Sequence, residues 1–115
     1  MILALVDDLI FSSKISGTAR QLGIPLVTVT NGAALLAEAE KQKPSLIVVD
    51  LNARQCPLDS IEVLAAQGRA DSVVAFLSHV QVELAARARA AGCAAVMPRS
   101  EFSQTLATIL ERGRS

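Results

Sequence analysis

The chain has 115 residues, 51% hydrophobic and only 3% aromatic, and its 11 basic and 11 acidic side chains cancel. That length suits one small domain with a core of Val, Leu, Ile and Ala, and so apolar a chain is not disordered. Neutral charge leaves no electrostatic footprint for nucleic acid or an anionic membrane, no apolar run approaches the roughly 20 residues of a membrane span, and the N-terminus lacks a signal-peptide pattern.

Cys56 and Cys93 stand in no metal-binding spacing and read as structural thiols of a reduced, cytoplasmic compartment. Residues 2–6 form a short apolar run that meets Asp7-Asp8, the pattern of a strand buried on both faces. Ile15, Ala19 and Leu22 then recur at helical spacing, and Gly23 closes that helix. Residues 25–29, rich in β-branched side chains, predict a second strand. Asn31 caps a second helix carrying Leu35, Leu36 and Ala39, with Lys41 and Lys43 near its negative end and Pro44 as its stop.

The third strand, residues 46–50, runs straight into Asp50. A polar loop over 52–58 follows, and Asp59 with Glu62 has capping-box spacing ahead of Ile61, Leu64 and Ala65, with Gly68 as the end of that helix. Residues 72–77 predict a fourth strand ending at Ser78, and residues 80–91 an Ala-rich fourth helix closed by Gly92. Residues 94–97 give a short fifth strand; Ser100 caps a last helix bearing Phe102, Leu106, Ile109 and Leu110, and residues 113–115 fray.

Strictly alternating strands and helices predict a single doubly wound α/β domain with a parallel sheet, helices on both faces and right-handed crossovers. The flavodoxin-like strand order 2-1-3-4-5 suits this length and sets strands one and three side by side. Asp7, Asp8 and Asp50 would then converge at the C-terminal edge of the sheet, where such folds bind ligands. Three carboxylates together repel one another, so a bound cation or raised pKa values are expected there.

These residues resemble a response-regulator receiver domain of the CheY-like kind over essentially the whole chain. Asp7-Asp8 resembles the acidic pair after the family's first strand, Asp50 its phosphoacceptor, Ser78 the hydroxyl residue ending strand four, and Arg99 the usual lysine after strand five. The resemblance implies a carboxylate nucleophile that takes a phosphoryl group from a phosphohistidine or small donor. It also implies Mg²⁺ held by Asp7, Asp8, Asp50 and the backbone carbonyl of Asn52, with Ser78 and Arg99 contacting the phosphoryl oxygens.

Several positions depart from the family pattern. Arg99 keeps the lysine's charge in a bulkier, planar group. Ser100 replaces the proline that usually follows the lysine, Pro98 lies just before it, and Val96 replaces the switch aromatic. His79 stands where a small residue is usual and would modulate access to Asp50. From sequence, Arg99 reads equally as a phosphate partner or as a salt bridge that holds Asp50 in one state. Lys14 reads as a solvated helix lysine.

The function these residues imply is that of a stand-alone phosphorelay or two-component module, phosphorylated on Asp50 with Mg²⁺. It would receive its phosphoryl group from a histidine kinase or phosphotransfer protein. It would signal through the face of the fourth helix, fifth strand and fifth helix, to a downstream protein or by homodimerisation. The alternatives are a phosphorylation-independent scaffold of the same fold and, less favoured, a small Mg²⁺-dependent phosphatase.

Overall fold

A computed structural model describes residues 1–55, 57–78 and 81–114. Five parallel strands, β1 (Ile2–Leu5), β2 (Leu26–Val29), β3 (Leu46–Asp50), β4 (Val73–Leu77) and β5 (Ala95–Pro98), form one sheet in the order β2-β1-β3-β4-β5. This is the expected order. The crossovers carry helices α1 (Leu9–Leu22), α2 (Gly32–Gln42), α3 (Pro57–Ala66) and α4 (Val82–Ala90), and α5 (Arg99–Gln104) and α6 (Leu106–Arg112) follow β5.

The strand residues sort by parity. Leu3, Leu5, Ile47, Val49, Val73, Ala75 and Leu77 pack with Leu35 and Ala39 of α2, Leu58, Ile61 and Leu64 of α3, and Ala85 and Ala88 of α4. Ile2, Ala4, Leu46, Val48, Val74 and Phe76 face the other way, onto Phe11, Ile15 and Ala19 of α1, Phe102 of α5, and Leu106 and Leu110 of α6. Every residue of the three central strands is therefore buried, which is why they read as continuous apolar runs rather than alternating ones. β5, an edge strand, is half-buried throughout.

Local signals fix most helix ends. Asp8 caps α1, its Oδ1 accepting from the Ile10 amide at 2.9 Å and the Phe11 amide at 3.2 Å. Gly23 ends the helix in the left-handed region at φ 70°, which costs glycine nothing. Asn31 caps α2 by accepting from the Ala34 amide at 2.8 Å.

Four boundaries differ from expectation. α3 begins at Pro57 rather than after Asp59, because proline suits the first helical position; Asp59 then lies in the first turn, where its charge favours the dipole. Ser100 lies inside α5, and Pro98, extended at φ −62° and ψ 151°, takes the capping position. The single last helix breaks at Thr105 (φ −109°, ψ 14°), whose hydroxyl donates back to the Glu101 carbonyl at 2.8 Å and bends the chain. The tail is tied down as far as residue 114: Ser45 Oγ donates to the Gly113 carbonyl at 2.6 Å and Arg114 Nη2 to the Leu22 carbonyl at 2.7 Å. Among the described residues no helix is long and apolar enough to cross a membrane.

Candidate functional site

Because β1 and β3 are hydrogen-bonded neighbours with Leu5 opposite Val49, the residues after both strands emerge at the same sheet edge. Asp7, Asp8 and Asp50 meet there as the topology requires. Asp50 is the buried member, 1% exposed, and its register partner on β4 is Phe76.

Each carboxylate is already committed. Asp50 Oδ1 accepts from the Asn52 amide at 2.9 Å, a local Asx turn, and Oδ2 accepts from Arg99 Nη2 at 3.0 Å. The other fork of the same guanidinium, Nη1, lies 3.5 Å from Asp8 Oδ2. Asp8 Oδ1 is the cap of α1. Asp7 Oδ2 accepts from the Arg54 amide at 3.0 Å and lies 3.9 Å from Arg54 Nε.

Arg99 is therefore a bridge between two acids, and its place is fixed from below as well. Its guanidinium carbon sits 4.9 Å from the Phe11 ring centroid and 5.6 Å from that of Phe76. Phe11, Phe76 and Phe102 are the only aromatic residues in the sequence, and they form one cluster. Phe76 and Phe102 stack with centroids 4.5 Å apart. A planar cation with an aromatic floor and two carboxylate walls suits arginine, with its two-pronged fork, better than lysine.

Burial pushes the Asp50 carboxyl above its ordinary value of 3.8; the Asn52 amide and the Arg99 charge pull the other way, while Asp7 and Asp8 add to the rise. Asn52, expected to contribute only its backbone carbonyl, is engaged through its side chain. Its side-chain Oδ1 accepts from the Ser78 amide at 2.7 Å, and its Nδ2 donates to Gln81 Oε1, so one asparagine ties the loop after β3 to the loop after β4. A cleft of about 340 Å³ is lined by Asn52, Leu77, Ser78, Pro98, Arg99 and Ser100. Ser78 and Arg99 thus line the same cleft.

The fold brings together Asp7, Asp8, Asp50, Asn52, Ser78 and Arg99. His79, expected to modulate access, and Cys56 lie outside the described residues. Lys14 points away to a different partner, Ser103 Oγ on α5. Val96 packs on the α2/α3/α4 side of the sheet. Sequence reasoning missed Arg54, Gln81 and the aromatic floor of Phe11 and Phe76. The Phe residues had a readable signal, since all three are buried and no other aromatic residue exists for them to meet.

The expected Mg²⁺ ligands were Asp7, Asp8, Asp50 and the Asn52 carbonyl. With Arg99 docked they do not fit a divalent ion. Asp50 Oδ2 and Asp8 Oδ2 are both engaged by the guanidinium. Among the described residues no group of three His, Cys, Asp or Glu side chains is arranged to hold a metal.

No protein-family model matches the sequence, and no curated protein does. Solved structures do match. The receiver domain of NtrX from Brucella abortus superposes with a TM-score of 0.83 at 21% identity, covering 98% of this chain and 97% of that one. The chemotaxis response regulator CheY4 of Vibrio cholerae gives a TM-score of 0.82 at 20% identity over 97% and 96% of the two chains. A response-regulator receiver domain protein from Clostridium thermocellum gives 0.83 at 14% identity over 97% and 91%. Against a longer NtrX chain this chain covers 26% of the length. The chain has the CheY-like fold of response-regulator receiver domains.

Proposed function

We propose that this chain is a receiver-type signalling module in which Asp50 accepts a phosphoryl group and a partner protein reads the altered surface. The observation that carries the reading is the position of Asp50. It is a buried carboxylate at the C-terminal end of a central strand, beside a cleft whose walls supply an amide, a hydroxyl and a guanidinium.

The chemistry follows from those groups. A free Asp50 oxygen attacks the phosphorus of a phosphohistidine or a small high-energy phosphodonor; the new O–P bond forms as the donor's P–N or P–O bond breaks, and the electron pair leaves with the donor. The Asn52 amide holds Oδ1, leaving Oδ2 as the attacking atom once Arg99 swings off it. Arg99 then faces the transferring phosphoryl from the cleft wall and offsets its charge. Ser78, on the same wall, supplies a hydroxyl donor. Asn52 links the two loops, so a change at Asp50 passes to Ser78 and to Gln81, the residue preceding α4. The α4 surface is in turn tied to its neighbours, with Arg87 3.6 Å from Glu62 of α3 and Arg89 donating to the Val96 carbonyl at 3.4 Å.

Incubation with acetyl phosphate or phosphoramidate, followed by intact-mass measurement, tests the proposal. One phosphoryl adduct, sensitive to hydroxylamine and absent in Asp50→Asn, is the expected result. An unmodified protein with every donor would refute it.

A further inference from the structure

We infer that Arg99 is the resident cation of this carboxylate cluster, occupying the place of a divalent metal, so that a metal binds only after Arg99 has left. The inference goes beyond the phosphoacceptor reading and stands whether or not Asp50 is ever phosphorylated.

Three observations support it. The guanidinium contacts the two inward carboxylates at once, Asp50 at 3.0 Å and Asp8 at 3.5 Å, the arrangement a bridging cation adopts. It is held there by more than charge, because Phe11 and Phe76 form a floor beneath it. The positive charge also matches that of a divalent ion, leaving the cluster one negative charge in excess. Asp7, Asp8 and Asp50 carry three negative charges, and Arg99 with Arg54 supplies the same two positive charges as one divalent ion.

The geometry explains why arginine does this and lysine would not. An ammonium is a single point charge on a flexible stem, whereas a planar guanidinium satisfies two carboxylates from opposite ends of its fork while its face rests on an aromatic ring. Arg99 opens α5 directly after β5, and its long side chain reaches past the end of β4 to both acids. A divalent ion entering between Asp8 and Asp50 would meet the guanidinium's charge at contact distance, so the two cations compete for the same oxygens.

The test is a Mg²⁺ titration of the full chain followed by amide NMR shifts at Asp8, Asp50 and Asn52, in wild type, Arg99→Lys and Arg99→Gln. Competition predicts that Arg99→Gln binds Mg²⁺ at least about tenfold more tightly than wild type, with Arg99→Lys between them. Asp8→Asn in the Arg99→Gln background should abolish the gain. A thermal melt reads the same effect independently of assignments: millimolar Mg²⁺ should raise the midpoint of Arg99→Gln and leave wild type unmoved. If Arg99→Gln proves unstable, Arg99→Lys carries the comparison by the same two readouts. A smaller ratio, or the absence of Mg²⁺ binding in every variant, overturns the inference.

Discussion

Removing Arg99 should be felt first in stability, and chiefly through Asp50. The ion pair spans 3.0 Å, with the Asp50 side chain 2% exposed and that of Arg99 39% exposed. At that distance Coulomb's law gives about 1.4 kcal/mol in water and about 5.5 kcal/mol at the effective dielectric of a protein site. The buried end argues for the larger figure, but the arginine end is more than a third exposed, and solvent screens it. A coupling of about 2 kcal/mol is the resulting expectation. The assay is a double-mutant cycle by urea unfolding at neutral pH: wild type, Arg99→Ala, Asp50→Asn and the double variant. Arg99→Ala alone should cost about 2 kcal/mol or more, because Asp50 stays buried with only the Asn52 amide as its partner. In the Asp50→Asn background the same substitution should cost far less. A coupling below about 0.5 kcal/mol, the limit of simple additivity, would refute the reasoning and reduce Arg99 to a surface ion pair.

Three further outcomes follow from the same geometry. Asp8→Ala should lose about 1 kcal/mol with the α1 cap, whereas Asp8→Asn, which keeps an oxygen for the Ile10 and Phe11 amides, should retain most of it; thermal unfolding separates the two. Because burial raises the Asp50 pKa from 3.8, the folded protein binds this proton more tightly than the unfolded chain does. The group's contribution to stability is therefore full below 3.8 and falls as pH rises through the folded value, and Asp50→Asn should flatten the stability profile across that window in a pH series of urea melts. Two glycines of neighbouring sequence should respond with opposite signs. Gly17→Ala enters open space inside α1 and should gain up to about 1 kcal/mol, while Gly23→Ala at φ 70° should lose about 1 kcal/mol; chemical denaturation reads both.

The parts of this molecule legible in its sequence are those set by patterns repeated along the chain. The continuous apolar runs ending at Asp7 and Asp50 announced central parallel strands, and their alternation with helices led to the sheet order and hence to the meeting of the acids. Helix ends written in single residues, such as the Asn31 cap and the Gly23 stop, were equally readable where the cap and its helix are adjacent. Features set by contacts between distant residues were not. Arg54 is an exposed loop residue whose amide finds Asp7 only because the loop after β3 folds back. Asn52 offered a backbone carbonyl to sequence reasoning, yet its side chain spans two loops through a register visible only in three dimensions. Arg99 was identified as the cation of the site with its two roles left open. The Asp8 contact and the Phe11 floor, which come from α1, show that it bridges. The break at Thr105 depends on a hydroxyl choosing its own backbone over solvent, a local competition that periodicity does not register.

The most direct test of the central claim is the intact mass of the protein after reaction with a small phosphodonor, quenched in acid, for wild type and Asp50→Asn. The account predicts a single phosphoryl adduct on wild type, mapped to Asp50 and absent from the variant. An adduct that survives in Asp50→Asn, or none on wild type with any donor, would contradict it.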